Sequence, residues 1–599
     1  MKRFKKYRNL TLLVISLMLA NCSNLLDEEP RTQIVPAFFD SPEGLLGGLA
    51  GVYNSIRGSY GTEGFTLQTM AGTDDHLRGG GAGPIFFTYN GIASTSFNGA
   101  FGIYTSINTL NGIIEIGPTA GLPESDLNLY LGQAYFLRAF LYYDLVKTFG
   151  DVPLHTEFNT TPSRADSKSP ALEVYDVILS DLNEAINRLP DQPAAPFLGK
   201  AATKAAALFL LGKAQLSRGW LTGNNTDFQN AYTTLNSLIT DKTAYGLDLW
   251  QDYGDAFEIA NDYGKENIFV SDHSNDATYG LYQLGASGGA AQNLTPWFQR
   301  WNYSGGVLGA NSTYSAASDA WTFNSASNMF NRDVENGRPY LRMRLNAEKL
   351  ASGPNAGKSY IYDQAFVNRD VDTRYSKTFK TVWIVNKTST GSRGDLVAGD
   401  TGVYFVDYEE PGAPYAIGAR PFKGIVVTPS MQTDQVWPAV KKFDDPTRAA
   451  PNDPSTRPVV LFRFADTYLL AAEAAFKAGN NDNAAAMINV IRRRAAYDKN
   501  LSDAENAANA TAMEITAGDV TLDFILDERT REFYGEGLRW FDLTRTQSLL
   551  SRVAAWNPVE AGTLIQPYHV LRPIPQDQID RVTEGDCQGN ECWQNPGYF

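Results

Sequence analysis

Cysteine and histidine are scarce in this chain, with three and four copies among 599 residues. The histidines, His76, His155, His273 and His569, stand far apart, so neither an HExxH spacing nor a comparable ligand set can be drawn. No second cysteine pair and no nearby histidine completes a four-ligand site around Cys587 and Cys592, so no metal is expected there. Positive charge is also short. Against 66 Asp and Glu stand 51 Lys and Arg, a net charge of −15 at pH 7 that repels phosphate backbones and argues against nucleic acid as a partner. The apolar run LTLLVISLMLA at 10–20 falls well short of the roughly 20 residues that a bilayer-crossing helix needs.

What precedes and follows that run gives it a meaning. MKRFKKYRN carries five cations, the run comes next, and small residues lead to Cys22, the pattern of a secretory leader over residues 1–21. Its removal takes the net charge from −15 to −20. LMLANC is similar to a bacterial lipoprotein cleavage box, which implies an acylated Cys22; an ordinary leader followed by a free thiol is the simpler alternative. Residues 22–35 then form a polar tether whose acidic cluster, Asp27 to Glu29, resembles that of surface-exported lipoproteins of the Bacteroidetes type. Attachment to a membrane would come from lipid, since basic residues are lacking. Outside the cell disulfides persist, so CQGNEC reads as a small loop closed by Cys587 and Cys592, with two free thiols as the other reading.

Helical periodicity dominates both ends. In LNLYLGQAYFLRAFLYYDLVKTFGDVPL the positions Leu131, Ala134, Tyr135, Arg138 and Tyr142 recur at three- and four-residue steps until Gly150 and Pro153 stop the helix. LEVYDVILSDLNEAINRLP gives a second helix, and KAAALFLLGKAQLSRG pairs with FQNAYTTLNSLI across a Gly/Asn loop. RFADTYLLAAEAAFKAGNNDNAAAMINVIRRRA repeats that plan, with Ala214, Ala472 and Ala475 small enough to let helices approach, a tetratricopeptide-like logic. Between them lies a stretch rich in Gly, Asn, Ser and aromatic residues, with short β-favouring runs in ENIFVSDH, KTVWIVNK and KGIVVTP and one possible helix at DAWTFNSASNMF. The expected divisions are a helical part at 36–245, a loop-rich, aromatic-rich part at 246–455 and a second helical part at 456–599. Loops this long inside a compact protein are usually functional.

Catalytic signatures are weak. FILDERTREFYGEGLRWFDLTR sets Glu528, Glu532 and Glu536 four apart among Arg529, Arg531, Arg539 and Arg545. A glycosidase acid needs its pKa raised, whereas neighbouring guanidinium groups lower it, so the row reads as a structural ion network with Trp540 and Phe541 turned inward. GASGG at 285–289 has the spacing of a nucleophile elbow but lacks alternating βα units around it. GGGAG at 79–83 lacks the Lys and Ser/Thr of a phosphate loop and reads as a flexible loop. No EF-hand loop is present, and the Asp/Asn-rich loops leave an isolated structural calcium open. PWFQRWNYSGG, followed by Trp321, is the densest aromatic group. Rings beside Arg, Asn and Asp suit a sugar, whose C–H face stacks while its hydroxyls need donors and acceptors; packing of the core under long loops is the bland alternative.

Seven fragments stand in order behind the leader: YTSINTLNGII, AYFLRAFLYYDLVKTFGDVPL, LFRFADTYLLAAEAA, INVIRRRA, DERTREFYGEGLRWFDLTR, LRPIP and the terminal QNPGY. Together they resemble the SusD/RagB-type family of outer-membrane nutrient-binding lipoproteins, from Cys22 to the last residue. The resemblance implies a mainly α fold with about four tetratricopeptide-like hairpins plus a loop-rich irregular portion with short β-strands. It implies a lipid-anchored protein at the outward face of the outer membrane, without catalysis or cofactor, that captures oligosaccharides as a lid over a SusC-type TonB-dependent transporter. By the same likeness the ligand site draws on the loop after the second N-terminal helix and on the central inserts. Here that loop offers Asp74, Asp75, Arg78, Phe87, Tyr89 and Asn90 for hydroxyl groups, and the inserts offer Trp297, Trp301, Tyr303 and Trp321 for stacking. Either set could instead meet the transporter. Peptide capture, as in RagB-like relatives, and an exported glycoside hydrolase are the rival readings.

Overall fold

Ser41 begins the first long helix by accepting a hydrogen bond from Gly44 N at 3.1 Å, with Pro42 in the first helical position, where its missing N–H costs nothing. The chain is described here from a computed structural model over residues 36–193, 200–273, 292–305 and 307–598. The leader, Cys22, the tether and the GASGG motif lie outside the described residues. Helix α1 (Pro42–Ser59) is followed by the short α2 (Glu63–Met70), then α3 (Ile103–Ile116) and the 26-residue α4 (Glu124–Phe149). Gly150 ends α4 at φ 74°, a conformation that favours glycine. Next come α5 (Ala171–Arg188), α6 (Lys204–Thr222) and α7 (Asn225–Thr240), and after the loop-rich part α8 (Phe464–Lys477), α9 (Asn481–Ala495) and α10 (Asp503–Met513).

These helices stack in a line. α1 packs on α3, α4 on α5, α6 on α7 and α8 on α9, and the pairs join through α3 on α4, α5 on α6 and α7 on α8. Each hairpin leaves one face apolar and its neighbour covers it, so the row shares one continuous core that includes Phe136, Leu210, Leu235 and Leu469. At the α6–α7 crossing a Cβ on Gly212 would lie 2.5 Å from Leu235 Cγ, so the approach depends on the missing side chain. The fold is mainly α, built from four helical hairpins. Among the described residues no helix is long and apolar enough to cross a membrane.

The loop-rich part is held by small sheets. Strand β1 (His76–Arg78) pairs antiparallel with β5 (Met343–Leu345), and β2 (Asn267–Ser271) with β9 (Val459–Arg463). β3 (Thr313–Ser315) and β4 (Ala320–Thr322) form a hairpin, so DAWTFNSASNMF is strand and turn rather than helix: its rings pair across the strands instead of stacking along one helical face. β7 (Thr401–Phe405) lies between β6 (Val382–Ile384) and the parallel β8 (Ile425–Val427). A second core fills the space beneath, with Trp301, Tyr303, Phe330, Trp383 and Trp437 at its centre. Cys587 and Cys592 are joined as a disulfide, with Cα atoms 5.5 Å apart.

Candidate functional site

The glutamate row lies on α11 (Leu522–Phe533), which Thr521 caps by accepting from Phe524 N at 3.1 Å. Only Glu528 and Glu532 are on the helix; Glu536 follows in the turn between Gly535 and Gly537. Glu528 meets Arg374 at 2.7 Å, Arg531 at 2.7 Å and Arg492 at 2.9 Å. Glu532 meets Arg463 at 2.7 Å, Arg374 at 3.2 Å and Arg494, while Glu536 takes Lys442 at 2.7 Å and Arg463 at 3.1 Å. Burial alone pushes these carboxyls up. The guanidinium groups outweigh it and hold Glu528 well below the usual carboxylate range and Glu532 at about 2. Neither keeps a proton near neutral pH, so neither can act as a general acid.

The same network takes in residues expected at a ligand. Asp74 is gripped by Arg539 through Nε at 2.7 Å and Nη2 at 2.6 Å and by Arg552 Nε at 2.7 Å. Burial pushes its carboxyl up, and Arg539 and Arg552 overcome that to hold it below the usual range. Asp75 accepts from Thr73 Oγ1 at 2.9 Å and pairs with His76 Nδ1 at 2.6 Å. Both carboxylates are buried, so the expectation that they meet sugar hydroxyls is corrected: their acceptor positions are already taken from within.

Most of the expected rings are also interior. Trp297, Trp301 and Tyr303 are 0% exposed, Trp301 sits edge-on to Trp383 at 5.2 Å, and Tyr303 donates to the Gly337 carbonyl. Phe87 is buried among Met70, Ala71 and Met343, and Tyr89, left-handed at φ 58°, donates to Gly72 O at 3.0 Å. A ring with no accessible face cannot stack on a ligand, so these five are core residues. Of the ten positions, Asn90 is exposed and Arg78 and Trp321 are partly exposed.

Trp321 belongs to a face that the segment 430–435 organises. Trp321 Nε1 donates to Met431 O at 2.8 Å, and Tyr314, its cross-strand partner at 5.3 Å between ring centres, donates to Asp319 and has its hydroxyl 3.1 Å from Ser430 O. A few residues on, Asp434 O accepts from Gly80 N at 2.7 Å. The span from 430 to 434 is at most roughly 14 Å, so the hairpin rings and the glycine loop are neighbours. The loop itself is fixed. Gly79 N donates to Arg342 O at 3.1 Å and Gly81 N to Leu341 O at 3.0 Å. A Cβ on Gly79 would stand 2.4 Å from Leu341 O, so GGGAG is a site of close backbone approach rather than a flexible loop.

Against this loop lies a ledge that sequence reasoning missed, formed by Arg338, Tyr340 and Arg342. The Arg342 guanidinium is 3.8 Å and the Arg338 guanidinium 4.5 Å from the centre of the Tyr340 ring, and Arg338 also lies 5.1 Å from the Trp297 ring. Arg342 pairs with Glu63 at the start of α2. Leu341 between them is held at φ 49°, which costs a branched residue on the order of 1–3 kcal/mol and puts its carbonyl on Gly81. The signal was present as the alternation of Arg and Tyr two residues apart in GRPYLRMR.

A separate cleft of about 460 Å³ crosses the helical scaffold beside Tyr143, Trp220 and Phe541. Its cations are answered inside the protein, Lys147 by Asp144 at 2.6 Å and Lys213 by Asp466 at 3.4 Å. Phe541 is partly exposed on this wall, under Lys147, whereas Trp540 is fully buried. Among the described residues no group of three or more His, Cys, Asp or Glu is arranged to hold a metal ion.

Comparison with known proteins places this architecture. The model of the SusD family matches residues 266–598, and a model described as starch-binding, associating with outer membrane, matches residues 26–218. SusD-like protein P38 of Formosa agariphila is 25% identical over 592 residues, covering 97% of this chain and 99% of that protein. SusD-like protein P2 of the same organism is 32% identical over 287 residues, 45% of this chain, and this match spans only about half (53%) of that relative. A solved laminarin-binding SusD-like protein superposes with a TM-score of 0.59 at 22% identity, covering 93% of this chain and 100% of the other, a likeness of fold.

Proposed function

The chain belongs to the SusD family, and on that premise we propose that it is a non-catalytic, glycan-binding lipoprotein of the outer membrane. It captures oligosaccharides on the face built by the β3–β4 hairpin, the glycine loop and the Arg338–Tyr340–Arg342 ledge, and passes them to a SusC-type TonB-dependent transporter. Trp321, Asn90 and Arg78 are the predicted residues that keep a ligand role in this reading, joined by Tyr314 and Tyr340. The observation that carries it is the pairing, on one rooted face, of partly exposed rings with guanidinium groups, while the carboxylates of the α11 row are locked in ion pairs. Rings supply area for the apolar face of a sugar, and planar donors fix its oxygens. Starch-binding and laminarin-binding relatives favour a glycan over a peptide.

Acylation of Cys22 would hold the protein beside its transporter, where a high effective concentration makes modest affinity sufficient. Calorimetry of the mature protein with a panel of neutral and charged oligosaccharides and a tryptic peptide mixture tests the reading. Binding of at least one glycan, weakened by Trp321→Ala, is expected. Heat from peptides alone would replace the glycan by a peptide cargo, and release of new reducing ends would make the protein an enzyme. Uptake at limiting glycan should fall in cells carrying Cys22→Ala; unchanged uptake removes the tether from the mechanism.

A further inference from the structure

We infer that the ledge selects glycans bearing carboxylate or sulfate groups, with Arg338 as the residue that reads the anion. This rests on the reading of that face as the glycan site. Most arginines of the described residues are matched to acid: the α11 network alone ties Arg374, Arg463, Arg492, Arg494, Arg529, Arg531 and Arg539 to carboxylates. Arg393, Arg448 and Arg572 lack a carboxylate but give donors to backbone carbonyls. Among the described residues Arg338 has no carboxylate partner and no side-chain hydrogen bond, and it is partly exposed.

Its surroundings hold the guanidinium without using its donors. With its Cζ 4.5 Å from the centre of the Tyr340 ring and 5.1 Å from that of Trp297, it gains cation–π attraction. No hydrogen bond among the described residues takes its N–H groups, which are available for the two parallel bonds that a carboxylate or sulfate accepts. Trp297 is fully buried, and Tyr303, also buried, donates to Gly337, the residue before Arg338. The platform is therefore rooted in core, which lowers the ordering cost of binding.

Other charges on this face are neutralised or oppose an anion: at the hairpin end the exposed Asp319 accepts from the Tyr314 hydroxyl, and Glu409, bonded to Ser430, stands 3.5 Å from Lys349. Arg342 is paired with Glu63, and Arg78 stands 3.6 Å from Glu560. Asp434, exposed and without an ion pair, borders the glycine loop and would repel an anion that reaches it. The overall negative charge acts weakly here, because charges beyond about 8 Å are screened at physiological salt.

The test is calorimetry on the full mature protein with tetragalacturonate, a sulfated carrageenan tetrasaccharide and the neutral laminaritetraose, at low and high salt. At least one charged probe should bind about tenfold or more tightly than the neutral one, and salt should erode that margin. The two charged probes distinguish carboxylate from sulfate. Arg338→Gln should abolish the margin with an unchanged unfolding midpoint, Arg338→Lys should restore part of it, and Asp434→Asn should widen it. If laminaritetraose binds as well as both charged probes, or Arg338→Gln leaves the margin intact, the inference is wrong while the glycan reading stands. If no glycan of either kind binds, the glycan reading falls and the inference with it.

Discussion

The helical scaffold and the loop-rich face both depend on arginine, in opposite ways. In the network around α11 guanidinium groups are buried against acid, as where Arg374 bridges Glu528 and Glu532 with no exposed surface at any of the three. On the loop face Arg338 and Arg342 lie on a tyrosine ring, and Arg338 has no acid partner among the described residues. The first arrangement spends most donors internally and yields rigidity. The second uses rings for support and leaves donors over. The presence of arginine therefore says little about function until its partners are known.

The contrast can be broken most forcefully in the scaffold. Glu532→Gln strands the charges of Arg374, Arg463 and Arg494 in the interior, and loss of about 5 kcal/mol is expected in denaturant unfolding, the upper end for removing one partner of a buried pair. A loss under about 1 kcal/mol would mean that the network is not the brace described. Trp301→Ala, in the second core, should cost about 3–4 kcal/mol as a cavity opens beside Trp383, although this ring was expected at the ligand. Intact stability together with lost glycan binding would return Trp301 to the ligand surface.

Acid sharpens the comparison further. The Glu532 carboxyl is lowered to about 2 in the folded protein, so its contribution is fully present above its unfolded pKa of about 4.3 and is lost as pH falls toward 2, by about 3 kcal/mol in all. Burial, helped by Arg572, lowers His569 to about 4, so the unfolded chain takes up that proton first and the decline begins below about pH 6.5. Denaturant midpoints followed from pH 7 to pH 3 should drop throughout; a flat profile would contradict both assignments. The smallest stability effect is expected at the face itself. Trp321→Ala should change unfolding by no more than about 1 kcal/mol while weakening the best glycan about tenfold, since a partly exposed ring contributes little to folding and its area matters to a ligand.

The scaffold was largely legible before folding because its signals are local. Leu131, Ala134 and Arg138 mark a helix by spacing alone, and Glu528 among arginines announces neutralisation by residue type. The aromatic group at 297–303 was not legible, because a ring prepared for a sugar and a ring prepared for a core have the same letters. Asp74 was misread for a related reason: its partners Arg539 and Arg552 lie 465 and 478 residues away. The ledge at 338–342 does carry a pattern, guanidinium and ring two apart. Its value lies in an acid that is missing beside Arg338, which only the folded chain reveals.

The three glycines at 79–81 give the face an unusual dependence on completeness. Their amides are answered from 341, 342 and 434, so the proposed face is stitched from stretches far apart in the chain, Gly80 and Asp434 by more than half the polypeptide. A chain cut or still emerging before 434 has the rings and cations but lacks the seam that aligns them. On the proposed reading, glycan binding should therefore require the chain through residue 434.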